Sequence, residues 1–192
     1  MVFGAAPAAA PTTADAQIRT WLQECVVGLN LCPFARPLLG SPRLRIAICD
    51  ETLPQALRLA FLQELDLLQS CAEEEVVTTL LAFPAALGDF HDYLDFLDEA
   101  QALLAEAGLK GVVQLASFHP RYLFAGEAAD APSHYSNRSP YPLVHLLREE
   151  TLSRVLADGA DPDQIPARNI ATLEAIGVAG LERRWRDMFD QV

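Results

Sequence analysis

Three short apolar runs, each parted from the next by one amphipathic segment of helical length, do most to restrict what this chain can fold into. The runs are Leu44–Cys49, Val76–Phe83 and Val112–Phe118. Between the first two, Leu57, Phe61, Leu65, Leu68 and Ala72 recur at helical spacing. Between the second and third, Phe90, Tyr93, Leu97, Ala100 and Leu104 do the same, with Asp89 at the start and Gly108 as a stop. Strands joined by helical crossovers run parallel, and each crossover is right-handed. In the first run Leu44, Ile46 and Ile48 alternate with Arg43 and Arg45, which fits an edge strand and leaves the second or third run central. The second run is apolar apart from Thr78 and Thr79, so it reads as buried on both faces.

Helices are expected on either side of this unit. Thr13 to about Gly28 carries Ile18, Leu22, Cys25 and Leu29 on one face beside Trp21, and Gly28 and Asn30 are stop signals. Thr52-Leu53-Pro54-Gln55 has a capping-box pattern for the second helix. Pro166–Ile176, ended by Gly177, and Val178–Phe189 read as two closing helices that cover a sheet face. The expected fold is therefore α/β: a small three-stranded, mainly parallel sheet flanked by helices, with a C-terminal helical segment. Residues 1–12 read as a flexible Ala/Pro tail and 13–192 as a single α/β domain.

Charge narrows the function classes. The formal net charge is −12, which disfavours nucleic acid, where affinity comes from cations neutralising phosphates, and anionic membrane surfaces. No apolar run approaches the roughly 18 residues of a spanning helix. The opening MVFGAAPAAAPTTAD lacks a basic n-region and is broken by Pro7 and Pro11, so it does not read as a signal peptide. Cys25, Cys32, Cys49 and Cys71 form no CxxC pair. A cytoplasmic chain with free thiols is the expectation. Neither a phosphate-cradling glycine loop nor a dinucleotide fingerprint occurs, which argues against a nucleotide cofactor; the residues name no other.

The candidate site lies between Gly111 and Glu150. Ligands of open parallel sheets bind outside the carboxyl ends of strands, and the third run ends on His119-Pro120. A long loop follows, with an acidic middle at Gly126–Pro132 and aromatic ends, among them Tyr122. It closes on Asn137-Arg138-Ser139-Pro140-Tyr141-Pro142. Proline is tolerated in a first helical turn, so a helix is expected from Pro142. Tyr141, His145, Arg148 and Glu149 would then share one side of it, with His145 paired to Glu149 four residues on. His119 and His145 are candidates for proton transfer, and Arg138 for clamping a carboxylate or phosphate through its planar fork. Each also has a plain reading: a turn histidine, a partly buried helix histidine, an arginine tying down a loop.

Cys32 is a candidate nucleophile that follows a helix C-terminus, where the dipole disfavours a thiolate. His119, His145 and Cys32 are suitable zinc ligands by type, but no metal-binding spacing links them. His91 and His134 read as surface groups.

CPFA at Cys32–Ala35, SFHPRYLF at Ser117–Phe124 and NRSPYPLVHLLRE at Asn137–Glu149 resemble a bacterial family known as domain of unknown function 1415, as does RNIATL at Arg168–Leu173. The resemblance implies a small cytoplasmic bacterial protein and brings no activity, cofactor or site residue.

Two functions are open on the residues. One is an enzyme acting on a small anionic metabolite, with Arg138 and Arg148 as anchors, His119 and His145 exchanging protons, and Asn137, Tyr141, Glu149 and Tyr122 around the substrate. The other is a non-catalytic protein binding a small ligand, a metal or a partner.

Overall fold

The computed structural model describes residues 13–157 and 164–189; the expected tail at 1–12 lies outside them. Helix α1 (Thr13–Trp21) runs into a wider π-helical turn, Leu22–Val27. Strand β1 (Leu44–Ile48), helix α2 (Pro54–Ser70), strand β2 (Thr78–Ala82), helix α3 (Phe90–Glu106) and strand β3 (Val113–Phe118) follow in the expected order. Strand β4 (Leu143–Arg148) and helices α4 (Glu149–Ala157), α5 (Gln164–Ile176) and α6 (Val178–Phe189) complete the described chain.

The sheet has four strands, not three, in the order β1-β2-β4-β3. β1 and β2 are parallel, and β4 is antiparallel to both β2 and β3, so the sheet is mixed and not mainly parallel. The correction traces to Leu143–Arg148, expected as helix and found as strand. A helix there would bury one side only. In the sheet Leu143, Val144 and Leu146 are all fully buried, and β4 fills the gap between β2 and β3. Alternation sends Leu143 and His145 to one face and Val144 and Leu146 to the other. Pro142 lies just before the strand, where its missing N–H costs no ladder bond, and its carbonyl accepts from Phe83 N at 3.0 Å. The following helix starts only at Glu149.

Two right-handed crossovers that step the same way across a sheet put both helices on one face. α2 and α3 accordingly share a core with that face: Phe61, Leu65 and Tyr93 pack with Leu81, Phe83 and Leu146. Tyr93 Oη donates to Leu143 O at 2.6 Å and accepts from Phe118 N at 3.0 Å, tying β4 to β3. β1 is an edge strand, as its two arginines indicated, and Arg45 holds Glu64 of α2 in a two-point ion pair at 2.6 and 2.8 Å. Asp89 caps α3 by accepting from His91 N and Asp92 N. The capping box expected at Thr52–Gln55 is not made: Leu53 occupies the cap position with no side-chain bond, and Pro54 opens α2.

The opposite face is covered by the α1–π helix and α6, through Ile18, Trp21, Leu22 and Met188 against Leu80, Ala82 and Leu143. Gly28 ends the π-helical turn, its N–H donating to Gln23 O five residues back at 2.9 Å. A Cβ at this position would sit 2.4 Å from Glu24 O, so the wide turn requires glycine. Asn30, at φ 54°, then turns the chain away.

Candidate functional site

On the α1 face a cavity of about 280 Å³ remains between helix and sheet. Its floor is the sheet, with Thr78 and Leu80 from β2, Ala116 and Phe118 from β3 and His145 from β4. Its roof comprises Trp21, Leu22 and Val26 of the helix, then Cys32, Phe34 and Leu38 of the connector. The π-helical turn shapes this roof, since Leu22, Val26 and Val27 all lie in it. A single turn of π-helix is a common way to re-aim helical side chains at a functional site.

His145 is one of several polar groups lining the cavity, with Thr78, Gln114, Arg148 and Thr151. Its Nε2 lies 2.7 Å from Thr78 Oγ1, and that hydroxyl also lies 2.7 Å from Leu146 O. A threonine hydroxyl has one proton. The Leu146 carbonyl can only accept, so the hydroxyl donates to it, and His145 Nε2–H must donate to Thr78. Nδ1 is thereby left as a bare acceptor, with no hydrogen-bond partner shown among the described residues. Burial pushes the imidazole down to about 4, so the ring is neutral near pH 7.

Cys32 lines the same cavity. Burial raises its thiol pKa, against a smaller opposite pull from the Phe34 and Ala35 amides and from Arg168. It also lines a second cavity of about 560 Å³, whose wall includes Asn137, Ser133 and Ile170.

The other expected site residues go elsewhere. His119 is fully buried on the α2–α3 face, against Phe90 and Tyr93, across the sheet from His145. Its Nε2 donates to Leu87 O at 3.0 Å, and its Nδ1 accepts from Arg121 N at 3.0 Å. Both ring nitrogens are spent on backbone, and burial lowers its pKa. His119 and His145 therefore cannot act on one reacting atom or ligate one metal ion with Cys32. Among the described residues no group of three or more His, Cys, Asp or Glu side chains is placed to hold a metal.

Arg148 donates to Cys71 O and Val76 O, bracing the chain between α2 and β2. Arg138 lies over the Tyr135 ring, 4.3 Å from its centroid. Asn137 Nδ2 donates to Ser117 O at 3.0 Å, and its backbone carbonyl accepts from His119 N at 3.1 Å, which docks the long loop on the end of β3. Tyr141 bonds to Gln17 of α1, and Tyr122 bonds to Ser117 Oγ. Glu149 N donates to Val112 O. On a strand, four residues of spacing separate His145 from Glu149 by roughly 13 Å, so their expected pairing is not made. His134, read as a surface group, is fully buried; it accepts from Phe124 N at 3.1 Å and lies 2.8 Å from Ala128 O.

The sequence marks Thr78 only as one of two adjacent hydroxyls, with Thr79, in an otherwise apolar strand.

The family model described as "Protein of unknown function (DUF1415)" matches residues 13–183. The chain belongs to this family. The matched range takes in both cavities' lining residues and the whole sheet. No curated protein and no solved structure matches the chain. Among the described residues no helix is long and apolar enough to cross a membrane.

Proposed function

We propose that this chain binds a small, mostly apolar ligand in the cavity beneath the Cys32–Ala35 turn, and that the ligand donates a hydrogen bond to His145 Nδ1. The observation that carries the reading is the bare Nδ1 acceptor on the floor of a partly open, mostly apolar cavity. Sites for small ligands have this character: apolar walls and one or two placed polar groups.

Binding without catalysis is the better-supported form. The cavity is lined both by a thiol whose pKa burial raises and by an imidazole lowered to about 4. Both shifts oppose moving a proton from the thiol to the imidazole. The resting pair is thus no nucleophile and base. An enzyme acting on an anionic metabolite loses Arg148 as an anchor, because that guanidinium is taken up by carbonyls, whereas Arg138 stacks on Tyr135 with its buried Nε–H unpartnered.

The test uses protein labelled with ¹⁵N-histidine and two probes of similar shape, phenol and toluene. Phenol should shift the His145 Nδ1 resonance, and toluene should bind without doing so. Ala116→Phe, which fills the cavity from the floor, should abolish both. Failure of phenol to move Nδ1 while the protein stays folded removes the reading.

A further inference from the structure

We propose that the open edge of β1 pairs with the β1 edge of a second copy of this chain, joining two sheets across a two-fold axis at Ile46. β1 is bonded to β2 on one side only. Cys49 N donates to Ala82 O, and Arg43 O accepts from Val77 N, so the odd-numbered residues turn their backbone groups inward to β2. Leu44, Ile46 and Ile48 therefore turn theirs outward. Among the described residues no hydrogen bond is made to the outward amide or carbonyl of Ile46 or Ile48. An edge of this kind is a template for another strand.

The sequence of this edge favours its own copy as that strand. Pro42-Arg43-Leu44-Arg45 opens it with two cations, and Cys49-Asp50-Glu51 closes it with two anions. Antiparallel pairing centred on Ile46 sets Leu44 opposite Ile48 of the second copy, so only residues with outward backbone groups meet. Ile46 exchanges both bonds with its counterpart, and the Ile48 N–H meets the free carbonyl of the second copy's Leu44. The same register brings Arg43 diagonal to Glu51 of the second copy, a favourable cross-strand pair. A parallel arrangement would set like charges side by side. Asp50 and Glu51 are exposed, and no ion pair is shown for either among the described residues. Arg43, though it reaches Glu73 at 3.6 Å, remains 41% exposed.

A second feature points to the same face. Beside the β1 edge lies an open groove of about 480 Å³ lined by apolar residues such as Ala47, Cys49 and Leu59 and by the acidic Asp50, Glu51 and Glu64. Leu59 is 55% exposed there. Joining two β1 edges brings the two α2 flanks together over the axis and covers this groove with its own image. The interface is then isologous, as in most homodimers.

The test is the mass of the full chain in solution at 0.15 M salt, where net repulsion is screened beyond about 8 Å. Sedimentation equilibrium should give a dimer of twice 21.0 kDa. Asp50→Arg with Glu51→Arg lies outside the strand and should shift the protein toward monomer while each chain stays folded by circular dichroism. Ile46→Cys supplies a direct reading of register. In a bonded antiparallel pair the two Cα atoms lie about 5.5 Å apart, within disulfide range. Mild oxidation should then link Ile46→Cys chains in pairs and leave the wild type unlinked. A monomeric wild type at all concentrations, or a dimer that neither responds to the charge reversal nor forms this crosslink, overturns the proposal.

Discussion

Replacing His145 with glutamine should reduce how much stability the protein loses on mild acidification. The wild-type imidazole is held at about 4 by burial, against an ordinary value of 6.5. An imidazole depressed on folding takes up protons more readily in the unfolded chain. Stability therefore falls as pH drops below 6.5, and the loss is complete only below 4. At 1.36 kcal/mol per pH unit the full loss is about 3 kcal/mol. Between pH 7.0 and 5.5 the fraction realised is about 1 kcal/mol. Going lower would approach the isoelectric point near 4.6, where solubility fails. Glutamine keeps an N–H for Thr78 and cannot titrate. Urea unfolding of wild type and His145→Gln at the two pH values isolates the difference, because His119, also depressed by burial, contributes equally to both. The wild type should lose about 1 kcal/mol more than the variant. Equal losses would mean that His145 is not held neutral by its surroundings, and the donor argument for Nδ1 would lose its basis.

Thr78→Val removes the hydroxyl that joins His145 Nε2 to Leu146 O, and should cost about 1–3 kcal/mol by urea unfolding. Gly28→Ala places a methyl group 2.4 Å from Glu24 O; it should lower stability by about 1–3 kcal/mol and weaken phenol binding, as the π-helical roof must shift. His119→Ala should lower stability by about 2 kcal/mol or more, since it frees Leu87 O and Arg121 N and releases a turn in which Leu87 sits at φ 57°. Phenol affinity of the folded fraction should not change in that variant, because His119 lies on the other face of the sheet.

The first three strands and the two crossover helices were legible because their periodicities are long and unambiguous. Arg43 and Arg45 marked the edge strand for a simple reason: cations are tolerated where one side of a strand meets water. Leu143–Arg148 was not legible. Six residues with two charged or polar side chains fit a helical stripe as well as a strand, and only the vacancy between β2 and β3, a non-local fact, decides between them. The same error misplaced His145, giving it a helical neighbour, Glu149, that a strand carries away. His119 and His134 show a different limit. A histidine in a polar loop reads alike whether it moves protons or accepts from a backbone amide two or ten residues away. The cavity was beyond reach of sequence pattern, because it depends on a π-helical turn whose one local marker is Gly28.

The proposed ligand contact requires that His145 carry its proton on Nε2 and offer Nδ1 to a ligand. Long-range ¹H–¹⁵N correlation of the imidazole at pH 7 reads this directly. The expected spectrum is that of a neutral ring protonated at Nε2, with a bare Nδ1 whose resonance moves when phenol is added. A ring protonated at Nδ1, or one whose Nδ1 ignores phenol at saturating concentration, would contradict it.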